Sequence, residues 1–166
     1  MIASFVDLER FITAQDQPRS GFDSALAEVQ RASKQGHWIW YIFPQLSGLG
    51  LSSLSKTYGI KGISEAVEYL RDPRLRLRLL EITTAVAERT RIGVSLETLM
   101  GSSIDVRKLV SSLTLFGNLA RRLQTEDEFH HSLARVADEV LAVAESEGYP
   151  PCSYTLEQLA RYWPSS

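Results

Sequence analysis

Two groups of polar residues carry the chemistry this sequence offers. Lys34, His37 and Gln45 flank a dense aromatic run, HWIWYIFPQL, which contains Trp38 and Trp40. Well downstream, Asp105, Lys108 and Ser112 follow one another at spacings of three and four. At about 100° per residue these three share one flank of a helix. They border an apolar stripe of Val106, Leu109, Val110, Leu113 and Phe116. Ammonium groups hold anions, indole faces stack on planar groups, and a histidine or carboxylate can move a proton. If the two groups converge, they line a pocket for a small polar metabolite or nucleotide. Lys34, Trp38, Trp40, Gln45, Lys108 and Ser112 would then bind it, with His37 or Asp105 as the acid–base group. Any reaction there would be a metal-free hydrolysis or group transfer, and no cofactor is expected. The competing expectation is a non-catalytic protein-interaction module. In that case the tryptophans are core, Asp105 is a helix cap, Lys108 is a solvated charge and Ser112 is packing. Partner contacts would then fall on an exposed basic face such as Arg74 to Arg78 or Arg121-Arg122.

Other chemistries find little support. The chain has three histidines and one cysteine, with no His-x-x-x-His or Cys-x-x-Cys spacing for a metal. His130 and His131 are adjacent on a charged first turn, which predicts surface placement. Cys152, between Pro151 and Ser153, has no nearby base and no partner for a disulfide. No Gly-x-Ser-x-Gly elbow occurs, and the GLG at Gly48–Gly50 lacks the Lys-Ser/Thr ending of a phosphate loop. Arg78 and Glu81 most simply form an ion pair. Eighteen basic against twenty acidic residues leave a net charge of −2, which gives no footprint for duplex nucleic acid. The opening MIASFVDLERF is not patterned as a secretory signal, and no apolar run approaches the roughly 20 residues of a membrane helix. A cytoplasmic protein with no membrane partner is expected.

These residues need a scaffold, and the scaffold signals are helical. The hydrophobic fraction is 44% and the charged fraction 23%, which is the composition of a packed domain. Phe5, Leu8, Phe11 and Ile12 share one face, as do Phe22, Ala25, Leu26, Val29 and Ala32, with Gly36 as a C-cap. Ser64 is placed to cap a helix through Leu70. Asp72-Pro73 pairs an N-cap carboxylate with a proline at the first helical position. RLRLRLL alternates like a strand, yet Leu75, Leu79, Ile82 and Val86 lie on one helical face, and the Asp-Pro start favours helix. Asp105 opens the next helix. Thr125 with Glu128, and Thr155 with Gln158, read as capping boxes for the last two. Thr114 points away from Asp105 and needs a separate role, such as a backbone hydrogen bond. The expectation is an all-α fold, one compact multi-helix domain over residues 1–166 with a buried aromatic central segment. Periodicity does not decide whether that segment is strand or helix.

The run from Phe22 through Phe116 resembles a helical bacterial family, the domain of unknown function numbered 1810. The likeness rests on Ala14-Gln15, Lys34, HWIWYIFPQL, GLGLSS, Tyr58-Gly59-Ile60, Glu65-Ala66 and Tyr69-Leu70. It continues through Pro73, Arg78-Leu79, Glu81, Asp105, Lys108-Leu109 and SSLTLF. The resemblance implies an all-helical fold and brings no established activity. Members are sometimes labelled calpastatin, but calpastatin-like inhibitors are polar and disordered, unlike this composition. The chain departs from the family pattern at Ala32, where a glycine is usual, and at Met100-Gly101 and Ile104-Asp105. It also departs in PPCSYTLEQL, where an aspartate is usual.

Overall fold

The computed structural model describes residues 7–163. Phe5 of the expected first stripe therefore lies outside the described residues. Ten helices follow in chain order: α1 (Glu9–Gln15), α2 (Phe22–Gln30), α3 (Ile39–Ile42), α4 (Ser53–Tyr58), α5 (Ile63–Arg71), α6 (Pro73–Arg91), α7 (Leu96–Met100), α8 (Ser103–Arg122), α9 (Glu128–Ser146) and α10 (Ser153–Tyr162). Extended pairing among the described residues is limited to an isolated parallel bridge between Leu46 and Ile60. The chain is all-α. None of the helices is long and apolar enough to cross a membrane.

The helix starts follow capping chemistry, though not always at the residues expected. Asp72 accepts hydrogen bonds from the amides of Arg74 and Leu75, both at 3.0 Å, so RLRLRLL begins a helix. α8 is capped by Ser102, whose hydroxyl accepts from the Asp105 amide at 3.1 Å. Asp105 therefore sits inside the first turn, where its charge suits the helix dipole. For α9 the cap is Asp127, accepting from the His130 amide at 3.1 Å, and not Thr125. α5 starts after Gly62, and Ser64 lies within it. α10 starts after Cys152 with no side-chain cap, and Thr155 is buried. α2 ends at Gln30, well before Gly36, and its exit turn is the left-handed Ala32 (φ 55°).

α8 is the centre of the core. It packs against α9 along its length and also touches α7, α10, α5 and α3. Its buried face includes Val106, Leu109, Leu113, Phe116, Leu119 and Ala120. α8 and α9 approach so closely that a Cβ on Gly117 would lie 3.0 Å from the Ala137 methyl. α6 packs on the other side of α9 and against α2, α5 and α1. Tyr69 stacks on Phe116 at 4.9 Å and meets Phe11 edge-on at 5.3 Å. The Gln15 amide donates to the Tyr69 hydroxyl at 3.2 Å and to the Tyr41 carbonyl at 2.9 Å, while Arg78 donates to Gln15 at 3.3 Å and to Asp16 at 2.7 Å. Arg78 thus pairs with Asp16 across α1 and α6, where a pairing with Glu81 was expected. The aromatic segment is a single helical turn, α3, followed by extended chain. Trp38, Ile39, Ile42 and Phe43 are fully buried in it. His131 is exposed as expected, but His130 is buried, with Nδ1 2.8 Å from Asp127 Oδ1.

Candidate functional site

The turn after α2 sets the geometry of the site. Ala32 and Ser33 return hydrogen bonds to the carbonyls of Val29 and Glu28, both at 2.9 Å, which closes the helix and swings the chain back over its end. Lys34 through Trp38 then wrap around the Glu28 carboxylate. One of its oxygens accepts from the amides of Gln35 (2.6 Å) and Gly36 (2.9 Å) and from the Trp38 indole N–H (3.0 Å). Burial pushes the Glu28 carboxyl up, but the two amides, the indole and the nearby Lys34 charge together hold it below its ordinary value.

Lys34 carries this wrapped segment to α8. Its Nζ lies 2.9 Å from Asp105 Oδ2, with 6% of the lysine side chain and 17% of the aspartate exposed. The same ammonium donates to the Gly36 carbonyl and stands 4.8 Å from the Trp38 ring centre. Lys108, one turn along α8, lies 3.6 Å from the other Asp105 oxygen and 3.7 Å from the Trp40 ring centre. Two lysines therefore share one carboxylate, and each rests against an indole face. Such contacts stabilise by about 0.5–2 kcal/mol each, more when desolvated.

Of the residues expected at the site, Lys34, Trp38, Trp40, Asp105 and Lys108 form one contiguous cluster. Ser112 lies two turns along α8, fully buried, and its hydroxyl has no hydrogen-bond partner among the described residues. Gln45 and Trp40 border a crevice of about 10 Å³ with Ser55 and Tyr58. That is room for about one water. His37 is exposed beside the buried Trp38, outside these contacts. Sequence reasoning missed Glu28. Its signal was a carboxylate beside Val29, at the edge of an otherwise apolar α2 stripe. Among the described residues, no group of three or more His, Cys, Asp or Glu side chains is placed to hold a metal ion.

A search among curated proteins returns no match. Among solved structures, the conserved hypothetical protein Rv1873 from Mycobacterium tuberculosis is similar, with 33% sequence identity and a TM-score of 0.71. The alignment covers 92% of this chain and 95% of that one. Residues 5–141 match the family described as protein of unknown function (DUF1810). That span holds every residue of the Glu28–Lys34–Asp105–Lys108 cluster, and the chain belongs to the DUF1810 family.

Proposed function

We propose that the protein binds a small polar metabolite or nucleotide carrying an anionic group, at the Lys108 end of this cluster. The observation that carries the reading is the unequal sharing of Asp105. Lys34 holds it at hydrogen-bonding distance, whereas Lys108 stands off at 3.6 Å. Lys108 makes no hydrogen bond among the described residues and is partly exposed over Trp40. An ammonium has three donors, so an incoming phosphate or carboxylate can be accepted without breaking the buried pair. Trp40, half-buried beneath Lys108, adds apolar ring surface beside the ammonium. If chemistry follows binding, exposed His37 and the bridging Asp105 are the proton carriers of a metal-free hydrolase or transferase.

The test is a thermal-shift screen of the full chain with adenosine monophosphate, nicotinamide mononucleotide and inorganic phosphate. A ligand selective for the native state at 100 times its Kd stabilises by about 2.7 kcal/mol. Lys108→Ala should abolish the shift, and His37→Ala, outside the lysine–indole contacts, should leave it. No shift with any of the three, or a shift that survives Lys108→Ala, refutes the site. A second reading, a non-catalytic interaction module, draws on Leu51 and Ile104, which are 90% and 60% exposed. It predicts no shift with any of these compounds and loss of partner binding on Leu51→Ser or Ile104→Ser.

A further inference from the structure

α8 has a second polar flank. Arg107 and Ser111, one turn apart, project on the side of the helix away from Asp105, Lys108 and Ser112. They face the segment linking α9 to α10 and enclose with it a cleft of about 270 Å³, bordered also by Tyr149, Pro150, Cys152 and Ser153. The segment is firmly held. The Thr114 hydroxyl donates to the Val110 carbonyl at 2.7 Å and accepts from the Cys152 amide at 3.2 Å, and Tyr149 donates to Glu97. The Arg107 guanidinium lies 5.9 Å from the Tyr149 ring centre.

We propose that this cleft binds a small organic anion, a carboxylate or phosphate on an apolar body. Arg107, Ser111 and the first residue of α10, Ser153, all border it. Arg107 is exposed at the mouth and supplies the charge. Ser111 is only 8% exposed, borders the cleft, and its hydroxyl makes no hydrogen bond among the described residues. α10 begins at the cleft without a side-chain cap. Its first backbone bond is from Leu156 to the Cys152 carbonyl at 3.0 Å, which leaves the amides of Ser153, Tyr154 and Thr155 ahead of it. A helix start at Ser153, beside a guanidinium and an unused hydroxyl, suits an anion. The proline walls suit an apolar body. The Cys152 thiol accepts from the Thr155 hydroxyl at 3.2 Å and lines the same space.

Cys152 is the chain's sole cysteine and is partly exposed, so its alkylation reports on the cleft. In that reaction sulfur bonds to the reagent's methylene carbon, iodide leaves, and the thiol proton goes to solvent. Iodoacetate carries a carboxylate where iodoacetamide carries a neutral amide of similar size, and comparison with a free thiol removes their different intrinsic reactivity. The ratio of the iodoacetate to the iodoacetamide rate at Cys152 should exceed the ratio for the neutral N-acetylcysteine amide by about threefold, the scale of one exposed charge. Arg107→Gln, at an exposed position, should return the ratio to that of N-acetylcysteine amide, and phenyl phosphate should slow alkylation by either reagent. Lys108→Ala should change none of this, which separates the cleft from the site proposed above. A ratio no larger than that of N-acetylcysteine amide, or no protection by phenyl phosphate, overturns the proposal. If Cys152 resists both reagents, amide NMR decides. Shifts at Ser153, Tyr154 and Thr155 on adding phenyl phosphate support the cleft, and their absence overturns it.

Discussion

Glu28 and Trp38 depend on each other. The indole is 1% exposed, and its N–H is satisfied by a carboxylate that is itself 9% exposed. Trp38→Ala should cost about 3–5 kcal/mol in denaturant unfolding, and Trp40→Ala, at a half-buried ring, clearly less. Equal losses would mean that the two indoles share the burden. The carboxylate also makes a pH prediction. The folded Glu28 carboxyl lies below its ordinary 4.5, so its contribution is complete above that pH and is lost as pH falls through the lower folded value. Glu28→Gln should therefore be less stable than the parent near neutrality, and the gap should narrow as pH falls below 4.5 and through the lower folded value. A gap that is constant with pH would show that the charge of Glu28 does not titrate with folding. The burial of the tryptophan run was legible in the sequence, because so dense an aromatic cluster must be hidden. Glu28 was not legible. Its partners are amides of the following loop, and their position depends on a backbone turn that side-chain spacing does not reveal.

That turn belongs to the scale of elements. Ala32 occupies the left-handed position that closes α2, with φ 55°. Its Cβ carries a steric cost there of about 1–2 kcal/mol, partly offset by the greater freedom of unfolded glycine. Ala32→Gly should therefore raise stability by up to about 1 kcal/mol in urea unfolding. A loss of stability would mean that the methyl packs well enough to outweigh the strain. The same turn delivers Lys34 to α8. A double-mutant cycle with Lys34→Met and Asp105→Asn should show a coupling of about 0.5–3 kcal/mol. Additivity would reduce the pair to a coincidence of packing. Helix existence was legible from periodicity, but caps were less so. Thr125 and Asp127 both precede α9 at plausible spacing, and only tertiary structure separates them: Asp127 also meets Arg76 of α6 at 3.1 Å. Gly36 looked like a helix stop for a similar reason, as a glycine after an apolar stripe. The stop came earlier, at a residue type that seldom serves as one.

Across the whole molecule, α8 joins everything that the sequence presented separately. One flank meets the loop after α2 through Asp105 and Lys108, the opposite flank faces the segment before α10, and the apolar face packs on α9. The sequence showed an apolar stripe with polar edges and grouped His37 and Gln45 with Asp105 and Lys108, whereas the structure gathers Lys34, Trp38 and Trp40 around that pair. Periodicity did not show that Arg107 and Ser111 would face another segment, because the partner is a proline-rich link with no period of its own. Amide exchange tests this arrangement. Backbone bonds between fully buried side chains on a helix covered on several sides open only when the whole domain unfolds, whereas short exposed elements open locally. Amides from Leu109 to Ala120, where only Asn118 is not buried, should be the last to exchange, at the free energy of global unfolding. α4, with Leu54 and Lys56 facing solvent, should exchange far earlier. Asp105→Asn should lower protection in the first turns of α8 more than in its last, because the lost ion pair anchors that end. If α8 exchanges as fast as α4, or if Asp105→Asn lowers both ends of α8 equally, then α8 is not the element that holds the two flanks in place.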